Sequence, residues 1–444
     1  MSPLFIIYVH SCVVVALFLA LGFVHVRGEA QLFAAEDDVG KNIVEIIAAR
    51  GFVVETHKVT TADKYVLTMY RLPKTYEESQ AGSDAPAARD KPAVVLQHGL
   101  MDSCFTFVNN FRNQSLAFVL ADAGYDVWLG NNRGTTWSRE HLVYTTKDAA
   151  FWNFTWEDMG KYDLPAEITY VLNTTRRSML SYVGHSEGTT QAFVAFSLDQ
   201  TLAKKVSYYA ALAPVAWTGH LTARIFRAMA TLHVDTWFQT LGVLQWSTRH
   251  ALVNDYLNSF ACPFLSHLCT SALTMVVGAS VSTNVSRIPV YLSQTTAGTS
   301  VKNMAHYAQG IRDDTFASYD YGCKCKHRAR WWWSHTTCPA SKCLNKVMYG
   351  SVDPPPIPID QMVYPRTGFY ISGSDTVATE KDTTHLREAL PSGTIVHERY
   401  VKEYSHLDMT WAYNANEKVY QDLLGQLEQY EGIGYTDQDD SAGR

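Results

Sequence analysis

The sequence predicts an α/β protein, a mostly parallel sheet flanked by helices with a mainly helical cap inserted late in the chain. Three features lead there. Ala93-Val94-Val95-Leu96-Gln97, Ser178-Met179-Leu180-Ser181-Tyr182-Val183 and Thr367-Gly368-Phe369-Tyr370-Ile371-Ser372 are short apolar runs that read as buried strands. The second runs through Gly184-His185-Ser186-Glu187-Gly188 into the helix-like Thr189-Thr190-Gln191-Ala192-Phe193-Val194-Ala195-Phe196, a strand, tight turn and helix in succession. Finally, 444 residues at 47% hydrophobic content suffice for one large domain plus an insertion.

A serine on so sharp a turn crowds its neighbours, and only residues without Cβ fit beside it, which accounts for Gly184 and Gly188. The turn brings the Ser186 hydroxyl to a helix N-terminus, where backbone N–H groups and the helix dipole favour an oxyanion. Chance can produce the five-residue string, so its strand and helix flanks carry the reading. Serine alone is a weak nucleophile, and the motif predicts an acid and then a histidine further along. Asp375 follows the 367–372 run through Gly373-Ser374, and His406 follows the strand-like 394–401. Both stand at carboxyl ends of strands, where open α/β sheets present reactive groups. In this reading Ser186 attacks a carbonyl, His406 takes and returns the proton, and Asp375 holds the imidazole. Asp382 and His385 fall in a helix-like stretch and His397 inside a strand, so all three rank behind.

An oxyanion site needs a second donor from another loop. His98-Gly99-Leu100 follows the 93–97 run, where hydrolases of this kind place that loop. The predicted donors are the backbone N–H groups of Leu100 and Glu187, with His98 bracing the loop.

From here the chain resembles a known family, the acid lipases, which include the gastric and lysosomal acid lipases. The strings that carry the resemblance are His98-Gly99-Leu100, 121–134 (Ala121 to Gly134, with Leu129-Gly130-Asn131-Asn132-Arg133-Gly134), 156–166, 209–216, 297–303 and His406-Leu407-Asp408. It implies the α/β-hydrolase fold, and it places Ser186, Asp375 and His406 on the family's triad. It also implies long-chain fatty esters, triacylglycerol or cholesteryl ester, as substrates, and a lipid–water interface as the working surface. Neither metal nor organic cofactor is implied, and a monomer is expected. Cys262 and Cys269 match the family's cap disulfide. One departure lies in the motif, where the family commonly has Gln and this chain has Glu187. A backbone donor is indifferent to side-chain identity, but an ionised Glu here would oppose an oxyanion unless it faced away or carried a proton. A carboxylesterase for small soluble esters is the nearer alternative. A hydrolase-fold protein that binds lipid without catalysis is the alternative of another class.

The expected organisation is a signal peptide over 1–28, a first core part over 29–216, a cap over 217–361, a second core part over 362–431 and a disordered polar tail over 432–444. The apolar 4–26 stretch with a long central run and no Lys or Arg at its start leaves an uncleaved anchor as the alternative to cleavage. Within 221–246, Ile225, Phe226, Met229, Leu232, Trp237, Phe238, Leu241, Val243 and Leu244 suit a helical pair, partly buried and partly forming a lid over the site. A net charge of −6 argues against nucleic acid as partner. Sequons at Asn113, Asn153, Asn173 and Asn284 fit a secreted or lysosomal destination.

Cysteine usage fits an oxidising compartment. Cys104, near the oxyanion loop, is expected to be a free and inert thiol. Cys323, Cys325, Cys338 and Cys343 lie in a stretch, 322–358, that the family pattern does not predict; two disulfides are favoured there over a four-cysteine zinc site. That stretch also holds Lys324, Lys326, Arg328 and Arg330 ahead of Trp331-Trp332-Trp333, the composition of an interfacial anchor or, equally, of a tryptophan cluster under the cap. Replacing all three tryptophans with Ser is expected to lower binding to a lipid emulsion; unchanged partitioning of a folded variant rules the anchor out.

Overall fold

The computed structural model describes residues 37–82, 86–246, 278, 280–324 and 339–435. The expected signal segment, Cys262, Cys269, Cys325, Cys338, the Trp331–Trp333 run and 436–444 lie outside the described residues. Strands are β1 (Glu55–Thr60), β2 (Tyr65–Leu72), β3 (Ala93–Gln97), β4 (Asp126–Leu129), β5 (Glu140–His141), β6 (Leu180–His185), β7 (Val206–Leu212), β8 (Gln245–Trp246), β9 (Thr299–Ser300), β10 (Thr367–Ser372) and β11 (Ile395–Val401). The helices used below are α1 (Ile43–Ala49), α2 (Leu116–Asp122), α3 (Leu164–Thr175), α4 (Glu187–Leu198), α5 (Arg224–Thr231), α6 (Val234–Thr240), α7 (Ile288–Gln294), α8 (Val301–Asp313), α9 (Leu344–Tyr349), α10 (Glu380–Ala389) and α11 (Gln421–Tyr430).

The main sheet runs β1-β2-β4-β3-β6-β7-β10-β11, with β5 paired to β2. Pairing is antiparallel from β1 through β4 and parallel from there to β11. Sheet position explains the sequence patterns. Central β3, β6, β7 and β10 are buried at every residue because helices cover both faces, so they read as unbroken runs. The edge strands β1 and β11 alternate instead. One face packs Val94, Leu96, Val127 and Leu212 under α1, α2 and α11. The other packs Val95, Trp128, Tyr182 and Phe369 under α3, α4 and α10. Helix α1 shows the local logic: Asn42 and Glu45 form a capping box, while Ile43, Ile46 and Ile47 share the face turned to the sheet.

Between β7 and β10 lie α5 to α9 and the small β8–β9 pair. Phe238, Trp246, Val301 and Met304 form an apolar cluster here, joined by Phe226, Met229, Val234 and Val243 and by Leu100 and Met101 from the loop after β3. Other apolar side chains of 221–246 stay in solvent: Leu232 is 60% exposed, Trp237 66% and Leu241 48%. Within the cysteine-rich stretch, Cys323 is bonded to Cys343 at the start of α9. Residues 76–80 form a short helix, where Thr75 and Glu78 close a capping box. One expectation is corrected. The polar tail does not begin at Gly432: the Tyr435 ring packs on Tyr364 at 4.5 Å and its hydroxyl donates to the Val206 carbonyl at 2.7 Å.

A buried ion triad clamps the sheet's β2–β4 end. Arg133 donates to Asp163 at 2.6 and 2.8 Å and to Asp63 at 2.6 and 2.9 Å, and its guanidinium lies 4.0 Å from the Tyr65 ring centre. Burial pushes the Asp163 carboxyl up, and Arg133 offsets this. Replacing Arg133 with Met leaves Asp163 buried without its counter-ion. The expected loss of unfolding free energy is about 3–5 kcal/mol, read by urea denaturation.

Candidate active site

Register decides what meets at the carboxyl edge of the sheet. Gln97 is opposite Gly184 and His185 opposite Leu212, so the loops leaving β3 and β6 emerge side by side. Ser186 ends β6 and opens α4 with φ 54° and ψ −117°, a conformation that L-residues avoid. It is held there by its N–H to the Leu212 carbonyl at 3.1 Å and by Thr189 Oγ1, which donates to the Ser186 carbonyl at 2.6 Å. The flanking glycines answer to contact: a Cβ on Gly188 would meet the Gln97 carbonyl oxygen at 2.3 Å, and one on Gly184 the Gly188 carbonyl oxygen at 2.6 Å.

His406 Nε2 lies 2.7 Å from Ser186 Oγ, and its Nδ1 lies 2.8 Å from Asp375 Oδ2. Asp375 Oδ1 accepts the N–H groups of Val377 and Ala378, each at 2.8 Å, which fixes the carboxylate. With Asp375 accepting at Nδ1, the imidazole presents Nε2 as a free acceptor to the serine proton. The loop bearing His406 is pinned at two points. His185 Nε2 donates to the His406 carbonyl at 3.0 Å, and Asp408 accepts the Ser405 N–H at 2.7 Å and the Ser280 hydroxyl at 2.6 Å. Burial drives His185 down to about 3, so the ring stays neutral.

A Cβ on Gly99 would come within 3.0 Å of Ser186 Cβ, so the 98–101 loop lies against the serine. Among the described residues no protein acceptor takes the Leu100 or the Glu187 N–H. His98 donates from Nδ1 to the Gly99 carbonyl at 2.8 Å and accepts the Asn132 N–H at Nε2, 3.1 Å. Burial holds it neutral, pushed down to about 4. The ranked-behind residues stand elsewhere: Asp382 binds His220 at 2.9 Å, His385 stacks on Trp217, and His397 binds Asp422 at 2.7 Å.

The Glu187 side chain, 2% exposed, is turned toward α8. Its carboxyl accepts from Asn303 Nδ2 at 2.6 Å and has Asn132 Nδ2 at 3.5 Å. Sequence reasoning gave Asn132, Asn303 and His185 no role, although the first two stand in strings that carry the resemblance. Cys104 is buried and free, with Asn131 Nδ2 3.3 Å from its sulfur, and burial pushes its thiol up. Asn113, Asn153 and Asn173 are exposed and Asn284 half-buried, with Asn153 Oδ1 engaged by Lys302.

Comparison with known proteins bears on the same segments. A family pattern described as "Partial alpha/beta-hydrolase lipase region" matches residues 43–111, and one described as "alpha/beta hydrolase fold" matches 92–392. Gastric triacylglycerol lipase of Homo sapiens is 35% identical over 400 residues, covering 89% of this chain and 93% of its own. Lipase member K of Mus musculus is 36% identical over 407 residues, covering 91% and 95%. Lysosomal acid lipase/cholesteryl ester hydrolase of Homo sapiens is 33% identical over 420 residues, covering 93% and 97%.

The Ser186 backbone supplies a stability test. Gly adopts its φ and ψ freely, whereas Ala keeps the strain while losing the hydroxyl. Ser186→Gly is expected to unfold about 1–2 kcal/mol later than Ser186→Ala in a denaturant titration. Equal stability would mean that the turn carries no strain.

Proposed function

The chain belongs to the acid lipase family of α/β-hydrolases, and on that ground we propose that it is a serine hydrolase cleaving carboxylic esters of neutral lipids through an acyl-enzyme. The observation that carries this reading is the single imidazole of His406 between the Ser186 hydroxyl and the Asp375 carboxylate, at 2.7 and 2.8 Å. Ser186 Oγ adds to the ester carbonyl as His406 Nε2 takes its proton, and Asp375 stabilises the imidazolium. The oxyanion lies between the N–H groups of Leu100 and Glu187 at the N-terminus of α4. Collapse of the adduct breaks the bond to the alcohol, which leaves with the proton from His406 Nε2. Water then repeats the sequence on the acyl-Ser186 ester and releases the fatty acid.

An apolar acyl chain is supported by the cluster of Phe226, Met229, Phe238, Trp246 and Met304, which reaches Leu100 and Met101 beside the serine. The exposed Leu232, Trp237 and Leu241 give the same segment a surface suited to a lipid–water interface. The gastric and lysosomal relatives and the Cys323–Cys343 disulfide support export or a lysosomal location. Among the described residues no helix is long and apolar enough to cross a membrane. We read the working unit as a monomer.

The test is rate against acyl length for emulsified and soluble esters. Emulsified long-chain esters are expected to give the higher kcat/KM, and Ser186→Ala to lower kcat by about 10⁴-fold or more. Turnover confined to short soluble esters would establish a carboxylesterase, and no turnover at all a lipid-binding protein.

A further inference from the structure

Asp375 and His406 stand on separate loops, one after β10 and one after β11, and the chemistry needs both in register with Ser186. Within the insertion between β7 and β10, one short segment touches both loops. A Cβ placed on Gly278 would stand 3.0 Å from the Ser374 carbonyl oxygen, 3.4 Å from Thr376 Cγ2 and 3.5 Å from Ser405 Cβ. Ser374 and Thr376 flank Asp375, and Ser405 precedes His406, so this backbone is lodged against the acid loop and the base loop together. Its φ of 95° is left-handed, a conformation open to glycine.

Two residues on, the contact becomes a hydrogen-bond network. The Ser280 hydroxyl donates to Asp408 Oδ1 at 2.6 Å and accepts the N–H groups of Ser282 and Thr283 at 3.0 and 2.9 Å. Thr283 Oγ1 donates to the same carboxylate oxygen at 3.3 Å, and the other oxygen accepts the Ser405 N–H at 2.7 Å. Thr283 also pairs with Ala412, and the Tyr413 N–H donates to the Ser282 carbonyl at 2.9 Å. Asp408 is fully buried, and a buried carboxylate needs such donors. Here two of them come from the insertion, while the third is the residue just before the catalytic imidazole.

We propose, resting on the serine-hydrolase reading above, that Ser280 is a positioning residue for the triad. Through Asp408 it fixes the loop on which His406 stands, and with Gly278 it makes this part of the insertion a strap across the acid and the base. Ser280 takes no part in bond making; it acts on where His406 Nε2 lies relative to the Ser186 hydroxyl. A displacement of about 1 Å at such a contact costs up to about 100-fold in rate. His185 holds the His406 carbonyl independently at 3.0 Å, so loss of the Ser280 hydroxyl leaves one anchor and a partial effect.

Ser280→Ala removes the donor and Ser280→Thr keeps it. With a soluble short-chain ester, which takes the lipid surface out of the measurement, Ser280→Ala is expected to lower kcat about tenfold at unchanged KM, and Ser280→Thr to recover most of the loss. Active sites are counted with a small alkyl fluorophosphonate, which phosphonylates Ser186 with loss of fluoride and needs the same base. Its reaction rate should fall in step with kcat while the number of sites titrated stays that of the wild type. Wild-type kcat per titrated site in Ser280→Ala, whether or not fewer sites titrate, overturns the proposal. Should that variant fail to fold, Thr283→Val removes the longer bond to the same oxygen and must show a smaller fall in kcat per site; no fall overturns the proposal equally. A wild type that hydrolyses no ester and takes up no fluorophosphonate overturns the hydrolase reading instead.

Discussion

A serine at φ 54° between two glycines keeps that conformation only if the structure on every side resists its relaxation. The strain is about 1–3 kcal/mol, and the contacts that oppose its release come from separate strands. The Leu212 carbonyl on β7 takes the Ser186 N–H, and the Gln97 carbonyl on β3 presses on Gly188 so closely that no side chain fits between them. The same approach brings the 98–101 loop against the serine. The placement of Ser186 and of the 98–101 loop beside it is therefore set by one piece of backbone geometry, the parallel register of β3, β6 and β7.

Around this turn the protein uses buried polar groups in their uncharged forms. His98 and His185 are both within the site's walls, and burial disfavours a second proton on either ring. Each instead holds backbone, His98 the Gly99 carbonyl and the Asn132 N–H, and His185 the loop that carries His406. Neutral neighbours leave His406 as the imidazole poised between a hydroxyl and a carboxylate. The buried Arg133 is likewise held, by short bonds to Asp63 and Asp163 on either side.

Much of this was legible before any coordinates. Strand runs such as 93–97 and 367–372 could be read because burial on both faces leaves an unbroken apolar string. Ser186, Asp375 and His406 could be singled out because each comes within a few residues of a strand-like run, in the chain order serine, acid, histidine. What could not be read was whatever depends on distant segments meeting. Asn132 and Asn303 converge on Glu187 from a loop after β4 and from α8, with no local pattern to announce it. The division of 221–246 into buried and exposed residues was hidden for the same reason, since Phe238 and Trp237 are neighbours with opposite fates decided by where α8 packs. Tyr435 was misread because a polar tail composition says nothing about one aromatic ring that finds a partner in Tyr364.

Leu100 belongs to two assemblies at once. It follows Gly99, which lies against Ser186, while its side chain packs on the apolar cluster of Phe238, Trp246 and Met304. Any rearrangement of α5 and α6 must therefore either carry the 98–101 loop along or separate from it and expose apolar surface. The packing of α5 and α6 and the position of the 98–101 loop are thus coupled rather than independent. By thermodynamic reciprocity, an acyl chain that favours one arrangement of the cap must also bias the loop, and a ligand in the oxyanion position must bias the cap by the same free energy.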